Sequence, residues 1–203
     1  MLHRRFRLPL IALVSLLLSG FGTRAEAAVG VEADRPLSDP HQTKIDERLV
    51  GTWRGIIQEK TYFLHMGTGN VVGDSNWMEL ALIVPGDKPK FYVNHKIGFP
   101  STVGSTSFFN IANLSVLISQ LRGTTTEDLT SSVGRWDIFQ YEVTKDYIDV
   151  WAPDQDFVRA AIKAGTIKGA DVSINDTKEN LIQFIESSAP KLFSKKVRFA
   201  RVE

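Results

Sequence analysis

The feature that most restricts this chain is a period-two alternation of apolar and polar side chains over short stretches bounded by turn residues. From Trp77 to Val84, the side chains of Met78, Leu80, Leu82 and Val84 fall on one side of a strand, and those of Trp77, Glu79, Ala81 and Ile83 on the other. Pro85-Gly86-Asp87-Lys88-Pro89 then turns the chain into Lys90 to Ile97, a second arm rich in aromatic and β-branched residues, so a β-hairpin is expected. Gly134 to Val143 and Tyr147 to Ala152 make another around Thr144-Lys145-Asp146. In its first arm the apolar phase slips from Trp136 and Ile138 to Phe139, Tyr141 and Val143, which asks for a bulge or for a strand buried on both faces at one end. Leu49 to Ile57 reads as a strand with Trp53, Gly55 and Ile57 on one side, and Ser107 to Ala112 as extended. No early strand leads into the long crossover helix that a parallel sheet requires, so the sheet is expected to be antiparallel. The fold class is mainly β with flanking helices.

The helices are few. Leu114, Leu117, Ile118 and Leu121 repeat at helical spacing and stop at Gly123. Asp154 is placed to cap a helix through Ala164, with Gly165 as its stop. After a short strand from Ile167 to Ile174, Asp176 and Glu179 resemble a capping box opening a helix through about Ser187, whose apolar stripe is Leu181, Phe184 and Ile185.

The two ends of the alternating region differ in composition. His3-Arg4-Arg5-Phe6-Arg7, an apolar run from Leu8 to Phe21, and Ala25-Glu26-Ala27 follow the order of a cleavable export signal over residues 1–27. The apolar run is too short, and too broken by Pro9, Ser15, Ser19 and Gly20, for a membrane anchor. The mature chain is therefore expected in the periplasm or secreted, with no stable membrane insertion. Residues 28–47 carry Pro36 and Pro40 without apolar periodicity and read as a flexible lead-in, leaving 48–203 as one domain. Of the 24 basic and 23 acidic residues, four and one leave with the leader, so 20 face 22 and the mature net charge is minus 2. No basic run or aromatic-basic stripe remains to suggest nucleic acid or a polybasic membrane surface. The chain has no cysteine, so its core must form without disulfides; twelve Phe and four Trp supply the apolar area.

Short motifs that suggest enzymes do not hold together. Val71-Val72-Gly73-Asp74-Ser75-Asn76 is similar to the nucleophile block of the GDSL hydrolases, but Ser75 needs a general base and no histidine follows His95. Gly67-Thr68-Gly69-Asn70-Val71-Val72-Gly73 has its third glycine one position late for a dinucleotide fingerprint, and no amphipathic helix begins there. His41, His65 and His95 have no metal-ligand spacing; His65 and His95 can meet only if their strands are neighbours. The carboxylates are scattered among lysines. A non-catalytic chain with no cofactor and no metal is the expectation.

Gly51-Thr52-Trp53, at the start of the first strand and after the apolar Leu49-Val50, resembles the Gly-x-Trp signature of the lipocalins. That resemblance implies a small antiparallel β-barrel in which Trp53 closes one end and a basic residue near the C-terminus lies across its ring. Arg201, on one face with Val197 and Phe199, is the matching candidate, and Arg198 the second. A lipocalin has one helix beside its barrel, whereas two late helices interleave the closing strands here. The resemblance implies an apolar small molecule or lipid in the barrel, with Ile57, Met78, Leu80, Leu82, Phe91, Val93, Phe139 and Tyr141 as candidate lining residues. A barrel filled by its own side chains points instead to a protein-protein interaction module, an inhibitor or envelope assembly factor. An apolar cavity above about 300 Å³ separates the two.

Overall fold

A computed structural model of the chain describes residues 31–57, 59–68, 76–85, 91–113 and 133–203. The leader (1–27), the helix expected from Leu114 and the block around Ser75 lie outside the described residues. Among the described residues, eleven strands run in the order β1 (Glu32–Ala33), β2 (Gly51–Ile57), β3 (Lys60–Gly67), β4 (Met78–Pro85), β5 (Phe91–Val103), β6 (Thr106–Asn113), β7 (Arg135–Val143), β8 (Tyr147–Ala152), β9 (Gly169–Ala170), β10 (Ser173–Ile174) and β11 (Lys195–Arg201). Helices α1 (Gln155–Lys163) and α2 (Lys178–Leu192) lie between β8 and β11.

Strands β2 to β8 and β11 close into an eight-stranded antiparallel barrel, β11 pairing with both β2 and β8. Alternation fills it: Trp53, Ile57, Leu64, Met66, Met78, Leu80, Leu82, Val84, Phe109, Phe139, Tyr141, Val197 and Phe199 belong to one buried cluster. Each such side chain contributes roughly 1.5 to 3 kcal/mol when fully buried.

The phase slip in β7 has a simple origin. Its pairing with β6 is continuous from Asn113↔Arg135 to Ser107↔Tyr141, without a bulge. The upper half of β7 is buried on both faces. Phe139 and Tyr141 point into the barrel, while Ile138 packs outward against the helices and Trp136 against Trp77 and Phe99. Those three rings stand with centroids 5.2 to 5.8 Å apart.

Among the described residues the two helices pack on the β5–β8 side of the barrel. Val158, Ala161, Leu181, Phe184, Ile185 and Leu192 pack on Val103, Phe108 and Ile138. Asp154 caps α1, accepting from the backbone N–H groups of Asp156 (3.0 Å) and Phe157 (3.1 Å). The cap of α2 is Thr177 and not Asp176, whose carboxylate instead accepts from the backbone N–H groups of Lys168 and Thr177 and from the side-chain amide of Asn180. That helix also runs past Ser187 to Leu192, through Pro190. The strand expected from Ile167 to Ile174 is a small hairpin of β9 and β10. Asp171 lies between its strands at φ 54°.

The lead-in, expected to be flexible, is packed from Val31 onward. Strand β1 pairs antiparallel with β7 and parallel with β10, and Val31, Ala33 and Leu37 are buried under the helices. The polar composition misled because the contacts that hold the segment come from far along the chain: besides the pairing of β1, Asn110 accepts from the Leu37 backbone N–H at 2.9 Å and donates to Ser101 Oγ at 2.6 Å and to the Phe99 carbonyl at 3.3 Å.

Candidate functional site

Barrels of this kind offer three places for function: the interior, the two ends, and the outer wall. The end where β2 begins is sealed. Trp53 is fully buried, its indole N–H donates to the Leu49 carbonyl at 2.9 Å, and the Arg201 guanidinium lies over its ring at 4.1 Å from the centroid. Arg201 also donates to the carbonyls of Arg48 (2.7 Å), Val50 (3.0 Å) and Lys145 (2.8 Å), so it ties three segments across the floor. Gly51, at φ 138°, is the residue that admits this guanidinium: a Cβ there would stand 2.7 Å from an Arg201 nitrogen. Arg198, the second candidate, is elsewhere, on the outer wall over Tyr147 and paired with Asp149 through two hydrogen bonds of 2.6 Å. Those bonds, with one from Lys196, hold the Asp149 carboxyl below its ordinary value.

Tyr141 lines the interior and reaches the same floor, where its hydroxyl donates to Asp46 at 3.1 Å. Burial pushes the Asp46 carboxyl up, but the hydrogen bonds from Arg48 and Tyr141 outweigh it and leave the group below its ordinary value.

The interior contains an apolar cavity of about 50 Å³. Of the expected lining residues, Leu80, Phe139 and Tyr141 border it, together with Leu64, Phe109 and Ile111 among others. Ile57, Met78 and Leu82 are buried in the same cluster without bordering the space. Phe91 and Val93 are corrected: they are 66% and 41% exposed and face outward. The register explains this, since Ile83 pairs with Val93 and Leu82 with Asn94, which turns Tyr92, Asn94 and Lys96 inward instead. A pocket for a drug-sized ligand measures about 300 Å³ or more. The volume found accommodates no such molecule.

The opposite end carries polar groups that the alternation did not disclose. Asp137 is 3% exposed on the inner face of β7, paired across the sheet with Ile111 and Glu32. Burial raises its carboxyl to about 7, with Glu32 adding to the shift and Lys96 opposing it. Asn94, 8% exposed, keeps a side-chain N–H group without a hydrogen-bond partner among the described residues. Glu32 accepts from Asn113 at 2.9 Å and from Arg135 at 2.6 Å.

His65 and His95 lie on the outer wall on either side of Ala81, so β4 separates them; His65 Nδ1 is 2.9 Å from Thr52 Oγ1. Among the described residues no group of three or more His, Cys, Asp and Glu is placed to hold a metal ion. Across the β2–β5 wall, registered neighbours Arg54, Phe63, Ile83 and Val93 form one outward row. Phe63 and Ile83 are half-buried, Arg54 and Val93 exposed. Comparisons with protein-family models, with curated proteins and with solved structures found no match.

Proposed function

We propose that the protein is an exported, non-catalytic interaction module in which the barrel is a filled scaffold and the working surface is the outside. The interior supports this reading: at about 50 Å³ its cavity is several times too small for a lipid or an apolar cofactor. The outer wall of β2–β5 supports it as well, because none of the described helices packs there and apolar side chains stand exposed among charged ones. Export rests on the leader pattern of residues 1–27. Native mass spectrometry of the mature protein purified from its host envelope tests the filled barrel. The mass of the bare chain is expected, and a stoichiometric small molecule retained by the protein overturns the proposal.

A second reading, a small molecule with an apolar body and a hydrogen-bond acceptor at the mouth of the barrel, draws on Asn94, whose buried side-chain donor lacks a partner among the described residues. Asn94→Leu separates the two. It removes a ligand from the mass spectrum under the second reading, and under the first it changes stability alone.

A further inference from the structure

Two inner-wall positions of the barrel carry no side chain, and aromatic rings occupy the room they leave. Gly55 on β2 pairs across with Phe199 of β11, and Gly98 on β5 with Ile111 of β6, so each glycine shares the inner face with its partner. A Cβ at Gly55 would stand 2.6 Å from a ring carbon of Phe199, and one at Gly98 2.5 Å from a ring carbon of Phe109. The two rings therefore lie against the backbone of the neighbouring strand instead of meeting in the middle. What remains at the centre is the apolar space of about 50 Å³.

The described residues that border this space include Leu64, Leu80, Phe139, Ile148 and Val150, all within strands, with Leu49 on the side of the floor. Only Tyr141 among them carries a polar side chain, and its hydroxyl is turned away, donating to Asp46 at 3.1 Å. A buried water makes about three hydrogen bonds, which these side chains do not offer, so the space is dry. Apolar cavities of roughly 150 Å³ also stay dry and take up benzene or xenon. A space a third as large excludes benzene and matches an apolar molecule of roughly one to three heavy atoms.

We propose that the centre of the barrel binds a small apolar gas molecule, of the size of dioxygen, between Leu64, Leu80, Ile148, Val150 and the rings of Phe109 and Phe199. Side chains around an empty space lack dispersion partners on one side, and an apolar guest supplies them without any hydrogen bond to satisfy. A side chain at Gly55 or Gly98 would drive a ring inward and close the space, so its size is set by the two glycines. The inference goes beyond the outer wall as the working surface and stands independently of it. So small a guest escapes on desolvation, and the bare-chain mass is expected whether or not it binds.

The test uses xenon as the probe, in carbon–proton correlation spectra of the methyl groups of the mature protein under xenon pressure. Saturable shifts are expected at Leu64, Leu80, Ile148 and Val150, with none at Ile56 and Val202, whose side chains are 69% and 40% exposed. Val150→Ile, which adds one carbon beside the space, should weaken xenon binding at least about threefold. Leu64→Ala, which enlarges the space, should bind xenon more tightly and admit benzene, read as a higher melting temperature in its presence. Shifts that grow without saturation, or that reach Ile56 and Val202 equally, overturn the inference. Xenon affinity unchanged in both variants places the gas elsewhere and overturns it as well. The filled-barrel reading survives either failure if the mass of the purified protein is that of the bare chain.

Discussion

Trp53 and Arg201 close the floor of the barrel by two kinds of force. The indole is buried and hydrogen-bonded to Leu49, and the guanidinium both stacks on it and satisfies three backbone carbonyls. Stacking contributes roughly 0.5 to 2 kcal/mol, and each charge-assisted hydrogen bond adds to it. Arg201→Ala is expected to lower unfolding stability by about 2 to 4 kcal/mol in urea titrations. Arg201→Lys should recover little, because an ammonium cannot stack as a plane and span three carbonyls at once. At this scale the sequence was informative where a motif joins a backbone need to a side chain, as Gly51 and Trp53 do. It was silent about Asp137 and Asn94. In isolation the pattern Phe91-Val93 looks like the inner face, and only the register across β4 shows that the inner face is the polar one.

At the scale of elements, α1 and the lead-in show how local chemistry and long-range contact divide the work. The N-cap of α1 was legible at Asp154, since a short carboxylate before an amphipathic run satisfies the free N–H groups of the first turn. Asp154→Ala should cost about 1 to 2 kcal/mol, read as a lower melting temperature, because it removes the cap together with the 3.0 Å ion pair to Lys195. The lead-in has no such local code. Its order depends on Asn110, 73 residues away from Leu37, and on pairing of β1 with β7. Asn110→Leu is expected to leave the barrel folded but remove amide hydrogen-exchange protection at Leu37, with faster proteolysis of residues 31–40. Unchanged protection at Leu37 would mean that apolar packing of Val31 and Ala33 alone holds the segment.

For the whole molecule, buried and paired carboxyls set opposite trends with pH. Asp46, Asp149 and Asp154 sit below their ordinary values, so their stabilisation is present above the unfolded carboxyl value and is lost as pH falls through the folded ones. Acid unfolding should therefore steepen below about pH 4. Asp137 acts in the other direction. With its folded value near 7, its contribution is complete below the ordinary carboxyl value, declines as pH rises, and is gone above about 7. Asp137→Asn removes that dependence. Relative to wild type the variant should gain stability between pH 5 and 7 by up to about 1.4 kcal/mol per pH unit, measured in parallel urea titrations. A constant difference across that range would show that the Asp137 carboxyl titrates normally.

The sequence by itself determined the antiparallel barrel strands and the two late helices, because each depends on periodicity, turn chemistry or a short local code, and the resemblance carried by Gly51-Thr52-Trp53 pointed to the closed end at Trp53. The tertiary structure alone decided the size of the apolar space among the described residues of the barrel interior, about 50 Å³, that the lead-in is part of the folded body, and which residues of β5 face inward. It also gathered Arg54, Lys196 and Arg198 around the exposed Ile56, although no basic run exists along the chain. The physical reason is the same in each case. Volume, register and charge clustering arise from strands far apart in sequence, and their outcome exists only once β11 has closed the ring between β2 and β8.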